Sequence, residues 1–162
     1  MVEIKTGDIV EYLHRSYTAV DGLWFMKIEE ESGFDKALEI DTKVWQIIPK
    51  IQSRFLKSKT GHSEGLLGLL VCFKIKLKLD GFEFRIRNNI KNHNIEFNIS
   101  KCPWYDLLVK SDRADISEKI GSKICRTEYS VWANEFGNNI EFELPEQLCN
   151  GGTNCRLFFR TI

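Results

Sequence analysis

The nineteen residues 82–100, FEFRIRNNIKNHNIEFNIS, decide the fold. Apolar and polar side chains alternate in two segments of this stretch, residues 82–87 and residues 95–100. Strict alternation is typical of a β-strand with one buried face, and the asparagine-rich segment between the two runs is typical of a turn. The stretch therefore predicts two antiparallel strands that pair across residues 88–94.

Helices are predicted before this pair of strands. Apolar residues recur every three to four positions over residues 8–32, which indicates one amphipathic helix, and again over residues 35–55, which indicates a second. Pro49 should kink the second helix because proline removes a backbone hydrogen bond. Apolar spacing from Leu66 to Leu77 fits a helix, whereas residues 73–79 also alternate as in a strand, and a helix that ends near Lys78 is the preferred interpretation.

Helices and then strands are predicted again after the central pair. A proline in the first turn indicates a short helix over residues 102–110, and apolar spacing predicts another over residues 112–124. A further helix should follow, with Thr127 as its N-cap. Alternation over residues 140–144 and 156–160 predicts two closing strands.

This order of elements predicts the fold class. It is α+β, with helices packed on a twisted antiparallel sheet of about four strands, in the order helices, two strands, helices, two strands. No repeat, low-complexity tract or linker divides the chain, so residues 1–162 are expected to form a single domain. Its N-terminal half, residues 1–79, is mainly helical, and residues 80–162 carry the strands.

Composition excludes several classes of protein. The 162 residues include 23 basic and 23 acidic side chains, so the net charge of zero argues against a nucleic-acid-binding protein. The longest apolar run, residues 65–73, is half the length of a membrane span, and the charged N-terminus does not resemble a signal peptide. We expect a cytoplasmic protein that binds neither nucleic acid nor membranes.

The cysteines are the first candidates for chemistry. Five cysteines are too few for a disulfide scaffold, and a reducing compartment would keep them as thiols. Cys102 is predicted where a strand meets a helix, and the N–H groups of a helix start favour a thiolate. Cys125 is predicted just before a helix, and Glu128, one turn further on, could accept a proton or complement the helix dipole. The alternative is that both thiols simply pack at tight corners.

Metal binding and a disulfide are weaker possibilities. The long intervals between the cysteines lack the close pairs of a zinc or iron–sulfur site, so no metal site is predicted. Cys149 and Cys155 could face each other across a hairpin. Strand alternation places them on opposite faces, unless Pro145 introduces a bulge.

Aromatic side chains suggest a binding pocket. Trp24, Trp104 and Trp132 are all predicted on helices that cover the sheet, where they would line an apolar pocket or simply fill a core. Tyr17 and Asp21 lie on the same predicted helix as Trp24, and they complete the candidate ligand-binding residues. Asp21 is expected to be partly buried.

Several motifs carry a family resemblance. They are CPWYDLL at residues 102–108, IGxxIC at 120–125, FGxxIxF at 136–142 and LCxGGxxCxLxF at 148–159. Together they resemble the C-terminal half of the L-2-amino-thiazoline-4-carboxylic acid hydrolase family. Residues 15–25 and 44–52 resemble an uncharacterised prokaryotic branch near that family, and the last motif is similar to the four-vinyl-reductase domain.

The resemblance implies a fold and two functions. Its wider group wraps helices around a twisted antiparallel sheet and often holds an apolar or tetrapyrrole ligand between them. Hydrolase chemistry would make Cys102 or Cys125 the thiolate that opens a thiazoline-like ring, with Glu128 as the proton carrier. No cofactor is identified, because no histidine stands where it would be a haem ligand.

Three hypotheses follow from the sequence. The first is a protein that holds an apolar or ring-shaped small molecule between helices and sheet, with Cys102 and Cys125 at the polar end of the pocket. The second is a cysteine-dependent hydrolase that uses the same pocket. The third is an interaction module without a pocket, and a homodimer is open in each case.

Overall fold

A computed structural model describes residues 3–162, apart from the side chains of residues 88, 89 and 92. The fold is α+β, as the sequence predicts, with helices and an antiparallel sheet of four strands. The helices are α1 (Thr6–Ser32), α2 (Phe34–Trp45), α3 (Ile48–Thr60), α4 (Gly65–Leu79), α5 (Pro103–Lys110) and α6 (Ser117–Phe136). The strands are β1 (Glu83–Asn89), β2 (Asn94–Lys101), β3 (Ile140–Glu146) and β4 (Cys155–Thr161). None of the described helices combines the length and apolar content needed to cross a membrane.

The chain forms two compact units, residues 1–41 and residues 42–162. The first unit contains α1, which has no buried residue. Helix α1 starts at Thr6 and ends at Ser32, and the φ of 84° at the cap residue Gly33 favours glycine. In the first turn, the Asp8 carboxylate accepts a hydrogen bond from the Lys5 N–H at 2.8 Å.

The predicted helix over residues 35–55 is wrong as a single kinked element. It is two helices, because α2 ends at Trp45 and α3 begins at Ile48. Pro49 lies in the first turn of α3, where its missing N–H has no intrahelical partner to lose. Proline therefore starts a helix here instead of bending one.

The sheet has the strand order β1-β2-β4-β3, with all neighbours antiparallel. Both predicted pairs of strands are confirmed. Ile86 pairs with Phe97, and Phe97 pairs in turn with Leu157 on the other side of β2. The register of β3 shifts between Glu143 and Glu146, around Pro145, where a bulge was the predicted exception to strict alternation.

Helices α4 and α6 contribute to one core with the sheet in the second unit. Phe73 of α4 is fully buried, and its ring meets four others edge-on. These rings belong to Phe97, Tyr129, Trp132 and Phe159, with centroids 5.0–5.6 Å from that of Phe73. Helix α4 follows the helical interpretation of residues 66–79, and Cys72 is buried as a small apolar residue.

The prediction of two helices over residues 112–124 and 127–136 is wrong. A single helix, α6, covers Ser117–Phe136. Thr127 lies in its middle, and the hydroxyl donates a hydrogen bond to the Lys123 carbonyl at 2.8 Å instead of capping a new helix. Cys125 consequently lies inside a helix and gains no N–H groups from a helix start.

Candidate functional site

Lys76 is the most unusual residue of the second unit. It lies on the core-facing side of α4, and its side chain is only 3% exposed. Its Nζ is 2.5 Å from Oε1 of Glu128 on α6 and 3.2 Å from Oδ2 of Asp80, which follows α4. A single ammonium thus joins two carboxylates in the interior.

Aromatic rings surround this ammonium. Its Nζ lies 5.7 Å from the ring centroid of Phe73, 5.1 Å from that of Phe82 and 5.6 Å from that of Tyr129. Cations within about 6 Å of a ring centroid are attracted by the ring quadrupole. We call Lys76, Asp80, Glu128 and these three aromatic residues the Lys76 cluster.

The carboxylates decide the charge of Lys76. Burial alone would lower its pKa, but Glu128 and Asp80 together raise the pKa above its ordinary value. The ammonium therefore remains charged at neutral pH. Burial also raises the pKa of Tyr129, with the Glu128 carboxylate as the next cause, so its phenol keeps its proton.

Trp104 packs against aromatic neighbours, and its predicted contact with a ligand stays a prediction. Its ring stacks on Phe82 with centroids 5.8 Å apart and meets Trp45 edge-on at 5.9 Å. Trp132 is fully buried, and its ring packs on Phe73 and Phe136. That position agrees with the core-filling alternative, and a ligand contact by Trp132 stays a prediction.

The predicted residues of α1 belong to the first unit. Tyr17 and Asp21 are half-buried there, in agreement with the expectation for Asp21. Trp24 is 67% exposed. Their predicted roles in ligand binding stay predictions.

Cys125 lies close enough to Cys102 and Glu128 for each of them to affect its pKa. The pKa of Cys125 is raised by burial and by the neighbouring Cys102, Glu128, Cys149 and Cys155. Burial raises the pKa of Cys102 to about 12, although backbone N–H groups of Tyr105 and Trp104 lower it. Cys102 lies at the start of α5, as predicted, but its burial works against the effect of the helix start, and its role as a thiolate stays a prediction.

The last two cysteines complete this group of thiols. Cys149 and Cys155 are both free, and the Leu148 N–H donates a hydrogen bond to the Cys155 sulfur at 3.3 Å. Burial raises the pKa of Cys155 to about 11. Within residues 3–162 as described, no three histidine, cysteine or acidic side chains are arranged to hold a metal ion.

A groove lies beside the Lys76 cluster, between α4 and β1. Its volume is about 470 Å³ and it is open to solvent. It is lined by Lys74, Lys78, Phe82, Glu83, Phe84 and Ile86. Phe82 belongs to both the groove and the Lys76 cluster, so its ring lies between the two.

The sequence pattern did not single out Lys76, because Lys74, Lys76 and Lys78 all alternate with apolar residues over residues 73–79. The helical spacing does carry the signal. Lys76 follows Cys72 by four residues and Phe73 by three, which places all three on one face of α4. Lys74 and Lys78 fall outside that buried face.

Known proteins resemble this chain mainly in fold. No curated protein matches the sequence. One similar solved structure is the phenol-responsive sensory domain of the transcription activator PoxR with phenol, which has 11% sequence identity and a TM-score of 0.53. The match covers 89% of this chain and 73% of that chain. A family model described as a family of unknown function, DUF6125, matches residues 3–151, and the chain therefore belongs to the DUF6125 family.

Proposed function

We propose that this protein binds an apolar, ring-shaped small molecule beside the Lys76 cluster. The observation that carries the proposal is the buried ammonium held between Glu128 and Asp80. Removing charges from water costs several kcal/mol per ion, roughly, and apolar residues of similar volume are often as stabilising as a buried ion pair. A gain in stability therefore does not explain why charged residues occupy this position in the core. Buried groups with shifted pKa values are typical of functional sites.

The surroundings of Lys76 favour an aromatic ligand with one polar group. Phe82, Tyr129 and Trp104 present rings, which prefer offset or edge-on contacts with another ring. Lys76 and Glu128 supply a donor and an acceptor for a hydroxyl group. The fold shared with the PoxR sensory domain, whose structure contains phenol, supports the same class of ligand.

The hydrolase hypothesis has less support. Ring opening by a cysteine requires a thiolate, and burial raises the pKa of both Cys102 and Cys125. The thiols are better suited to form a neutral, polarisable wall beside a ring.

The proposal is tested by the binding of phenol and of toluene, its analogue without a hydroxyl, measured by saturation-transfer NMR and calorimetry. The wild type should prefer phenol by about tenfold or more, because a hydrogen bond to a charged group contributes about 1.5–3 kcal/mol. The K76M/D80N/E128Q variant removes all three charges at similar volume and should lose this preference. Lys123→Met, on the exposed part of α6, is the matched control.

Two results would overturn the proposal. One is that neither compound binds the wild type and that native mass spectrometry of freshly purified protein finds no small molecule. The other is that the preference for phenol survives in the K76M/D80N/E128Q variant.

A further inference from the structure

We propose that the groove between α4 and β1 is a second site, which binds an amphipathic carboxylate: a small molecule with an apolar tail and one anionic end. The site shares Phe82 with the Lys76 cluster but differs from it in its charged groups, because Lys74 and Lys78 lie at the groove and not in the core. The proposal does not depend on the ring-shaped ligand proposed above.

The floor of the groove is apolar. Phe82 precedes β1, and Phe84 and Ile86 follow at every second position, so the three side chains lie on one face. Phe84 pairs with Ile99, and Ile86 pairs with Phe97. Ile99 and Phe97 are fully buried, whereas Phe84 and Ile86 are half-buried. This face of β1 therefore continues the core surface into the groove and leaves apolar area for a ligand.

The rim of the groove is cationic. Lys74 and Lys78 are four residues apart on α4, so they lie side by side on one face of the helix. In the part of the chain that the structure describes, neither ammonium has a hydrogen bond or an ion pair, whereas Glu83 is paired with Lys101 at 3.2 Å. Like charges at this spacing repel each other, and an anion between them would remove that repulsion.

Size and charge together select the class of ligand. A volume of about 470 Å³ falls within the range of small-molecule sites, roughly 300–1,000 Å³. A carboxylate at the two lysines would place its tail along Phe82, Phe84 and Ile86. Apolar burial would then supply affinity, and the lysines would select anions over neutral analogues.

The test uses decanoate as the probe and decanol as its neutral analogue, with the whole chain, below the concentration at which decanoate forms micelles. Decanoate should shift the amide NMR signals of residues 74–86 and bind about tenfold or more tightly than decanol. The K74E/K78E variant should weaken decanoate binding about tenfold or more. The control is K119E/K123E, which reverses two exposed lysines at the same spacing on α6 and should change the affinity less than about twofold.

Three outcomes would overturn this inference. Equal affinity for decanoate and decanol would show that the charge of the ligand does not contribute to binding. Unchanged affinity for decanoate in a folded K74E/K78E variant would show that the two lysines do not bind the carboxylate. A native mass showing a dimer that dissociates in K74E/K78E would assign the groove to a second copy of the chain.

If K74E/K78E does not fold, K74Q/K78Q provides the same comparison. The K76M/D80N/E128Q variant should keep decanoate binding, which separates this test from that of the phenol site.

Discussion

At the scale of single residues, Lys76 is the position whose substitution should affect stability most. Lys76→Met leaves Glu128 and Asp80 facing each other without the cation that joins them. Breaking a buried ion pair by removing one partner costs about 3–5 kcal/mol, because an uncompensated charge remains buried. Urea unfolding followed by circular dichroism should show this loss in the free energy of unfolding.

Two controls separate charge from volume in this experiment. Lys74→Met makes the same change on the exposed side of α4 and should alter stability by less than about 0.5 kcal/mol. The K76M/D80N/E128Q variant should recover most of the loss. A K76M protein as stable as the wild type would mean that the carboxylates find other partners or take up protons without cost.

Cys102 should make stability fall at alkaline pH. Its pKa is about 12 in the folded protein, against 9.0 for an ordinary thiol, because the site is buried. The folded state therefore keeps a proton that the unfolded state loses, so the stabilisation is complete below pH 9 and is lost as the pH rises toward 12. Urea unfolding of reduced protein over this range should show a steeper decline for the wild type than for Cys102→Ala, and equal slopes would contradict the assignment.

At the scale of secondary-structure elements, Gly121 allows α6 to lie close to the segment before β4. A Cβ at this position would overlap with the sulfur of Cys149. Gly121→Ala should therefore destabilise the protein by about 1–3 kcal/mol despite the higher helix propensity of alanine. Unfolding in urea measures the loss.

The cause of this loss is tested by rescue. The G121A/C149A variant removes the sulfur and should be more stable than G121A, which is a positive coupling in a double-mutant cycle. Ser122→Ala, at the adjacent exposed position, is the control for helix propensity. Additive effects of G121A and C149A would show that the two residues do not touch.

Local patterns predict the elements well and their ends poorly. The alternation in residues 82–87 and 95–100 predicts β1 and β2 because side-chain direction in a strand depends only on the chain itself. Thr127 misleads, because a hydroxyl can cap a helix or bond back to the preceding turn, and packing along the whole of α6 decides between the two.

In the candidate site, too, the features that depend on nearby residues are predictable from sequence, and those that depend on tertiary packing are not. The position of Cys102 before α5 follows from sequence, because a proline in the first helical turn is a local signal. The pairing of Lys76 with Glu128 joins residues far apart in the chain, and it depends on how α4 and α6 pack on the sheet. A raised pKa at Cys102 likewise depends on burial, which a helix-start argument does not contain.

At the scale of the whole molecule, the packing is concentrated in the second unit. The core cluster contains residues from Leu56 to Phe159, whereas α1 has no buried residue and exposes large apolar side chains such as Trp24. Both proposed sites also use residues of the second unit only. Folding and binding of this unit should thus require little from α1.

A chain of residues 34–162 tests this conclusion, because it removes α1 and keeps α2 intact. We expect cooperative unfolding, a near-ultraviolet circular dichroism spectrum like that of the full chain, and retained decanoate binding. The dependence of the unfolding free energy on urea should change little, since it scales with the surface that unfolding exposes and α1 buries no residue. Helical signal with no near-ultraviolet signal would indicate a molten globule. That result would make residues 1–33 a necessary part of the one domain that the sequence predicts.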